Sequence, residues 1–246
     1  MSETIATLAK IYLYPVKSMA CVQMRKAYVG LDGIWGDRQY AFVLANQSAT
    51  KSFPWMTARQ DSRMLAYQPS FEDLPLSTDS DPAVSIRTPE GRVASVSDEN
   101  LLEELQSKFG RKLFLLRSER GIFDCQHVSA FNLATVDALA NEVGCNIDHR
   151  QFRANLYFHP ACKEPFIEER WTDCLWAVGP EVLLSVAQHD RRCMMVNLDP
   201  KTGWSNPTVL SVIARLHKNR AGLYLNVVRA GTIREGDTVR RVEIST

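Results

Sequence analysis

The feature that most constrains this chain is the recurrence of short β-branched and aromatic runs, each bounded by Gly, Pro, Asp or Asn. Such runs place alternate side chains on two faces and stop at turn residues, so they build sheets and not helical bundles. Thr7 to Tyr14, Arg25 to Val29, Gln39 to Ala45 and Met64 to Tyr67 read as strands. Ala83 to Ile86 and Arg92 to Ser95 flank Thr88-Pro89-Glu90-Gly91 as a hairpin. The same pattern returns at Leu113 to Leu116, Asn155 to Phe158, Cys174 to Val178, Val182 to Val186 and Cys193 to Leu198. Leu223 to Val228 and Thr238 to Ile244 close the chain, joined through Gly231 to Asp237, whose Gly-Asp pair suits a tight turn at a barrel rim.

Helical signals are few. Asp98 as N-cap, acids in the first turn, apolar residues at helical spacing and Gly110 as stop mark one helix. Ala130 to Val143, ended by Gly144, reads as a second, and Asn206-Pro207 opens a third that runs to about His217. The fold class predicted is therefore mostly β (α+β) with few helices. A length of 246 residues permits one large β domain or two smaller ones. The polar stretch Arg117-Ser118-Glu119-Arg120-Gly121 places the boundary, giving 1–118 and 119–246.

Lys and Arg total 29 against 28 for Asp and Glu, so no whole-chain field draws the protein to nucleic acid or lipid. The first residues lack a basic region followed by an apolar one, and no apolar stretch approaches the length of a membrane span, so a cytoplasmic location without nucleic-acid or membrane partners is expected. Six cysteines without a C-x-x-C pair read as free thiols, most of them structural. There is no G-x-S-x-G elbow, no phosphate loop of the G-x-x-x-x-G-K-[ST] type and no G-x-G-x-x-G fingerprint, since Gly30, Gly33 and Gly36 have the wrong spacing. None of the five histidines has the spacing of a zinc ligand pair.

What remains is one thiol and several anion-gripping groups. In Arg191-Arg192-Cys193-Met194-Met195, a strand would put Arg191 and Cys193 on one face, where the cation favours the thiolate that attacks electrophiles and binds soft metals. The plain alternative is a small buried hydrophobe. Lys17 and Ser18 pair an ammonium with a hydroxyl after the first strand, able to hold an anionic oxygen or to be a solvated turn. Arg38 and Arg59 each stand beside a strand, as phosphate forks or as members of surface ion pairs. Arg153 and Asn155 share a face at the entry of a strand, and Ser129 lies where a helix begins, a position that binds anions or merely caps.

In order, the segments Y-P-V-K-S, G-D-R, T-A-R-Q, F-R-x-N, R-C-x-x-x-x-x-D-P-x-T-G and G-x-I-x-x-G-D-x-V resemble the MOSC family, related to the C-terminal domain of molybdenum cofactor sulfurase. The resemblance extends to its N-terminal β-barrel extension and to the amidoxime-reducing members. It implies a β-barrel-like MOSC domain interlocked with a β-rich N-terminal domain, and molybdenum-molybdopterin as cofactor with Cys193 as metal ligand. Similarity assigns the pterin and its phosphate to Lys17, Ser18, Arg38, Arg59, Ser129, Arg153 and Asn155. Two departures touch the surroundings: Ala154 stands where relatives often carry Pro, and His127-Val128-Ser129-Ala130 replaces an Asp-Thr-Ser-Pro seen in some. The implied activity is reduction of an N-hydroxylated small-molecule substrate. No cysteine-rich module follows the last turn, so a flavoprotein reductase or ferredoxin-type donor protein is expected to supply electrons. A sulfur or molybdopterin carrier using Cys193, and an interaction module that binds no metal, are the rival readings.

Overall fold

The computed structural model describes residues 3–45, 54–78, 82–172 and 174–242. The first half carries β1 (Glu3–Leu13), β2 (Val22–Met24), β3 (Lys26–Gly30), β4 (Gly33–Ile34), β5 (Tyr40–Leu44), β6 (Gln68–Phe71), β7 (Val84–Arg87), β8 (Val93–Ser95), α1 (Glu99–Phe109) and β9 (Leu113–Arg117). The second carries β10 (Val128–Asn132), α2 (Leu133–Val143), β11 (Leu156–Pro160), β12 (Leu175–Val178), β13 (Val182–Arg191), α3 (Thr208–Leu216), β14 (Arg220–Arg229), β15 (Gly231–Arg234) and β16 (Thr238–Val242). The protein is mostly β, as the strand pattern predicts. No helix among the described residues is long and apolar enough to cross a membrane.

Seven strands close into a barrel in the order β11-β10-β14-β13-β12-β16-β1, with β1 pairing back onto β11 and β2 hanging from β1 as an extra strand. Closure leaves no free edge within the ring. Its lumen is filled by side chains such as Leu8, Ile11, Phe158, Trp176, Leu184 and Leu225, all buried. β1 carries bulges between Thr4 and Ala6 and between Leu8 and Lys10, the irregularities that let one long strand follow the curve of a barrel wall. β1 is drawn from the first 118 residues and the other six ring strands from beyond them, and β15 pairs with β3, so the two parts are interlocked through backbone hydrogen bonds.

A second core lies where α1 packs on β5, β9 and the β6–β7–β8 meander, around Phe42, Met64, Leu101, Leu105 and Leu113. α1 forms as its caps dictate: the Asp98 carboxylate accepts from Leu101 N at 2.8 Å, and Gly110 takes the left-handed conformation at φ 62°. A third cluster, with Phe131, Leu139, Phe152 and Ile213, packs α2 and α3 on the outside of the barrel.

Five local expectations are corrected. Met64 to Tyr67 is not a strand: Ser62–Ala66 is a 3-10 turn capped by Asp61, and the strand starts at Gln68. Residues 130–132 belong to β10, and the helix begins at Leu133 with Asn132 as its cap, accepting from Ala134 N at 2.9 Å. Cys193 to Leu198 is not a strand either, since β13 ends at Arg191 and Met194–Asn197 forms a 3-10 turn. Gly231 to Asp237 is not all loop, because β15 pairs with β3 from Gly231↔Val29 to Arg234↔Lys26. The cysteines are free, but Cys174 alone is buried, whereas Cys125, Cys145, Cys162 and Cys193 are exposed. The last residues of the strand expected over Thr238 to Ile244 lie outside the described residues.

Candidate functional site

The chain leaves β1 at Leu13 and runs as Tyr14-Pro15-Val16-Lys17-Ser18 alongside Gly36 to Tyr40. Backbone bonds zip the two together: Arg38 N donates to Tyr14 O at 2.9 Å and Lys17 N to Tyr40 O at 2.8 Å. At their junction Asp37 is 1% exposed. Its carboxylate accepts from Tyr14 N at 2.7 Å, from Asn155 Nδ2 at 3.0 Å and from the Arg38 guanidinium. Asn155 is fully engaged, because its Oδ1 accepts from Ser129 N and Oγ while its Nδ2 also reaches Tyr12 O at 3.1 Å. Removing Asp37 strands a guanidinium, an amide and a backbone N–H in a dry place. Asp37→Ala is therefore expected to cost about 3–5 kcal/mol, read as a lowered urea midpoint with an unchanged slope.

This frame walls a cleft of about 800 Å³, part of it open to solvent. Lys17, Ser18, Arg38, Arg59, Ser129, Arg153 and Cys193 all line it. Asn155 does not; it stands behind the wall and holds Ser129 and Asp37. The expected shared face of Arg153 and Asn155 is corrected, since Arg153 ends a 3-10 turn in left-handed conformation and Asn155 precedes β11. Ser129 is also relocated: it lies within β10 and not at a helix start, and its hydroxyl donates to Asn155 at 3.0 Å. Arg191 and Cys193 line the cleft together although Cys193 follows the strand end, so their proximity does not come from strand alternation.

Three cleft residues without glycine's freedom hold positive φ: Ser18 at 68°, Arg38 at 52° and Arg153 at 51°. Non-glycine residues rarely adopt this region, and such strain gathers at functional sites. The Tyr14 ring carries both guanidinium groups, with Arg38 at 4.7 Å and Arg153 at 4.2 Å from its centroid. Their electrostatics differ. Burial opposes the Arg38 charge, but Asp37 outweighs it and leaves the pKa above its ordinary value. Burial lowers that of Arg153, and among the described residues no carboxylate lies within 4.0 Å of it. Arg153 spends one N–H on Met19 O at 2.9 Å, while its own carbonyl accepts from Arg38 Nη2 at 3.0 Å.

Lys17 donates to Ile122 O at 2.9 Å and meets Asp124 at 2.6 Å. Burial pushes its pKa down to about 8 in spite of Asp124. On the far wall Asp190 is raised by burial to about 6, with Arg192 opposing the rise. Arg192 is a staple, not a free cation: it donates to Ala221 O at 2.7 Å and Phe152 O at 2.9 Å. Its Nη2 lies 2.8 Å from Asp190 Oδ2, an ion pair whose angle is not that of a hydrogen bond. Tyr14, Asp37, Asp190 and Arg192 are the site residues that sequence reasoning missed.

Lys17 predicts a pH dependence. An anion favours its protonated form, so binding above about pH 8 requires proton uptake and weakens as pH rises. Sulfate, whose charge is constant over this range, is expected to lose affinity by roughly tenfold per pH unit above that point. Calorimetric titrations between pH 6.5 and 9.5 check this, and Lys17→Arg should flatten the slope.

Around the cleft stand the cations Lys17, Arg38, Arg59, Arg153, Arg191 and Arg192 against the carboxylates Asp124 and Asp190. Among the described residues no cluster of three or more His, Cys, Asp or Glu could hold a metal ion. A metal beside Cys193 would thus bring its other ligands with it, on an anionic carrier that the excess of cations lining the cleft suits. The fold and cleft define a closed-barrel protein with two exposed thiols, Cys125 and Cys193, on a cleft in which cations outnumber carboxylates. The MOSC domain model matches residues 117–240 and the MOSC N-terminal beta barrel domain model residues 5–110, and the chain belongs to the MOSC family. Family membership supports a molybdenum-cofactor-binding domain. No curated protein matches the sequence. Among solved structures the fold is similar to that of the YuaD protein from Bacillus subtilis, at 14% identity and a TM-score of 0.54, covering 100% of this chain and 99% of that one. YiiM from Geobacillus stearothermophilus is also similar, at 17% identity and a TM-score of 0.37, over 48% of this chain and 54% of its own.

Proposed function

We propose that this protein is a molybdenum-molybdopterin oxidoreductase that reduces N-hydroxylated compounds with electrons from a separate donor protein. The observation that carries the reading is the placement of the exposed thiol of Cys193 on the same cleft as Lys17, Arg38 and Arg153. Cys193 would be the protein's metal ligand, a soft donor suited to molybdenum. Arg153 and Arg38, oriented by Tyr14, and the ammonium of Lys17 would hold the phosphate by charge-assisted bonds. The Ser18 hydroxyl, which makes no hydrogen bond among the described residues, is a further donor. When bound, the cofactor supplies the two-electron couple that removes the N–O oxygen.

The net change is R–NH–OH plus two electrons and two protons, giving R–NH2 and water. Asp190 is the buried acid of the cleft, and a pKa of about 6 lets its carboxyl oxygens take up and pass on a proton near neutrality. With a net charge of +1, the donor, a flavoprotein reductase or a ferredoxin-type protein, would dock through a local patch in a salt-sensitive complex.

The test is consumption of benzamidoxime or an N-hydroxylated purine by metal-loaded protein, first with a viologen reductant and then with a ferredoxin or flavoprotein. Repeated turnover with viologen is expected. One observation favours a carrier of sulfur or molybdopterin instead: Cys125, a second exposed thiol, lines the same cleft as Cys193. Single release of pterin or sulfur to an acceptor enzyme, without turnover, would establish that reading.

A further inference from the structure

Arg191, the last residue of β13, is the direct cross-strand partner of Arg220, the first of β14. Directly opposed residues point to one face, and like charges so placed repel. Neither guanidinium has an ion pair or side-chain hydrogen bond among the described residues. Arg192, the next residue after Arg191, shows the contrast, being paired with Asp190 and bound to two backbone carbonyls.

Both unpaired arginines line an outer cavity that also contains Cys193 and His189 but not Arg38 or Arg153. Its one carboxylate, Asp124, is occupied by Lys17 at 2.6 Å and Arg59 at 3.9 Å. Arg191 also lines the inner cleft, so the pair stands where the inner and outer cavities meet beside the thiol, with Arg220 in the outer one alone. The proposed function assigns the inner cavity to the cofactor. The outer one faces solvent, where a substrate approaches.

We infer that Arg191 and Arg220 form an anion subsite for the substrate, so that the compound reduced beside Cys193 carries a carboxylate or phosphate. The inference rests on the proposed reductase reading. It commits the pair to a small anion, because the two side chains line a cavity and not a flat face.

The experiment compares 4-carboxybenzamidoxime, 4-phosphonobenzamidoxime and neutral benzamidoxime, using metal-loaded protein and viologen. One or both charged substrates should exceed the neutral one in kcat/KM by about tenfold, through KM, and the ratio should approach one in R191Q/R220Q or in 0.5 M salt. Which of the two leads distinguishes carboxylate from phosphate. A second arm needs no turnover: by calorimetry, 4-carbamoylbenzoate or 4-carbamoylphenylphosphonate should bind more tightly than benzamide to the wild type, and neither should to the double variant. If every N–O substrate fails while this binding difference holds, the reductase reading falls and the subsite stands. Equal ratios in both proteins, loss of molybdenum from the double variant, or an effect confined to assays with a protein donor would overturn the subsite, the last two assigning the arginines to the cofactor and to the donor.

Discussion

Cys193→Ser is expected to fold normally and to lose metal-centred absorption and N–O turnover together. Cys193 is exposed and is the N-cap of a 3-10 turn to which its side chain gives no hydrogen bond, so no hydrogen bond of the fold is lost with the sulfur. A serine hydroxyl, in contrast, is a hard and mostly protonated donor where a soft thiolate is required. Loss of an outer partner of a metal ligand alone costs roughly ten- to a hundredfold, so removing the ligand should lower turnover by more than about a hundredfold. Cys145→Ser and Cys162→Ser should retain full activity, since neither residue lines the cleft. Unchanged turnover in Cys193→Ser would sink the assignment of the ligand.

The fold was legible where local chemistry and tertiary context agree. Asp98 and Gly110 announce α1 because a cap is a local event, readable from a few neighbouring residues. Val128–Asn132 escaped because all five residues, Ser129 and Asn132 included, are buried, so no alternation of apolar and polar residues marks the strand. Residues 193–198 escaped for a related reason: a short apolar run after a strand looks like its continuation, whereas here the chain turns so that the thiol meets the cleft. β15 is specified by pairing with β3, some two hundred residues earlier, which no local window contains.

The site divides in the same way. Lys17, Arg38, Arg153 and Cys193 announce themselves by charge and nucleophilicity, and their family pattern ties them together. Asp37 read only as a neighbour of Arg38, yet it joins Tyr14 N to Asn155, residues 23 and 118 positions away. Arg192 looked like a second cation beside the thiol. Its burial against Phe131 and Phe152, with Asp190 as counter-ion, makes it part of the wall.

That distinction between wall and ligand-facing cation sets the second large effect. Arg153→Ala is expected to yield folded protein that loses cofactor about ten- to a hundredfold more readily, the equivalent of one charge-assisted bond of roughly 1.5–3 kcal/mol. No carboxylate within 4.0 Å depends on Arg153 among the described residues, so its removal strands no counter-ion; it relieves crowding with Arg38 on the Tyr14 ring. Arg38→Ala removes a comparable grip but leaves Asp37 buried with only its neutral donors, adding a stability loss of about 3 kcal/mol. The two variants should therefore separate in urea unfolding while agreeing in pterin content after dialysis, and sulfate binding to the metal-free proteins should weaken in both. Full pterin retention by Arg153→Ala would show that the anion is held elsewhere, whatever the stability of the Arg38 variant.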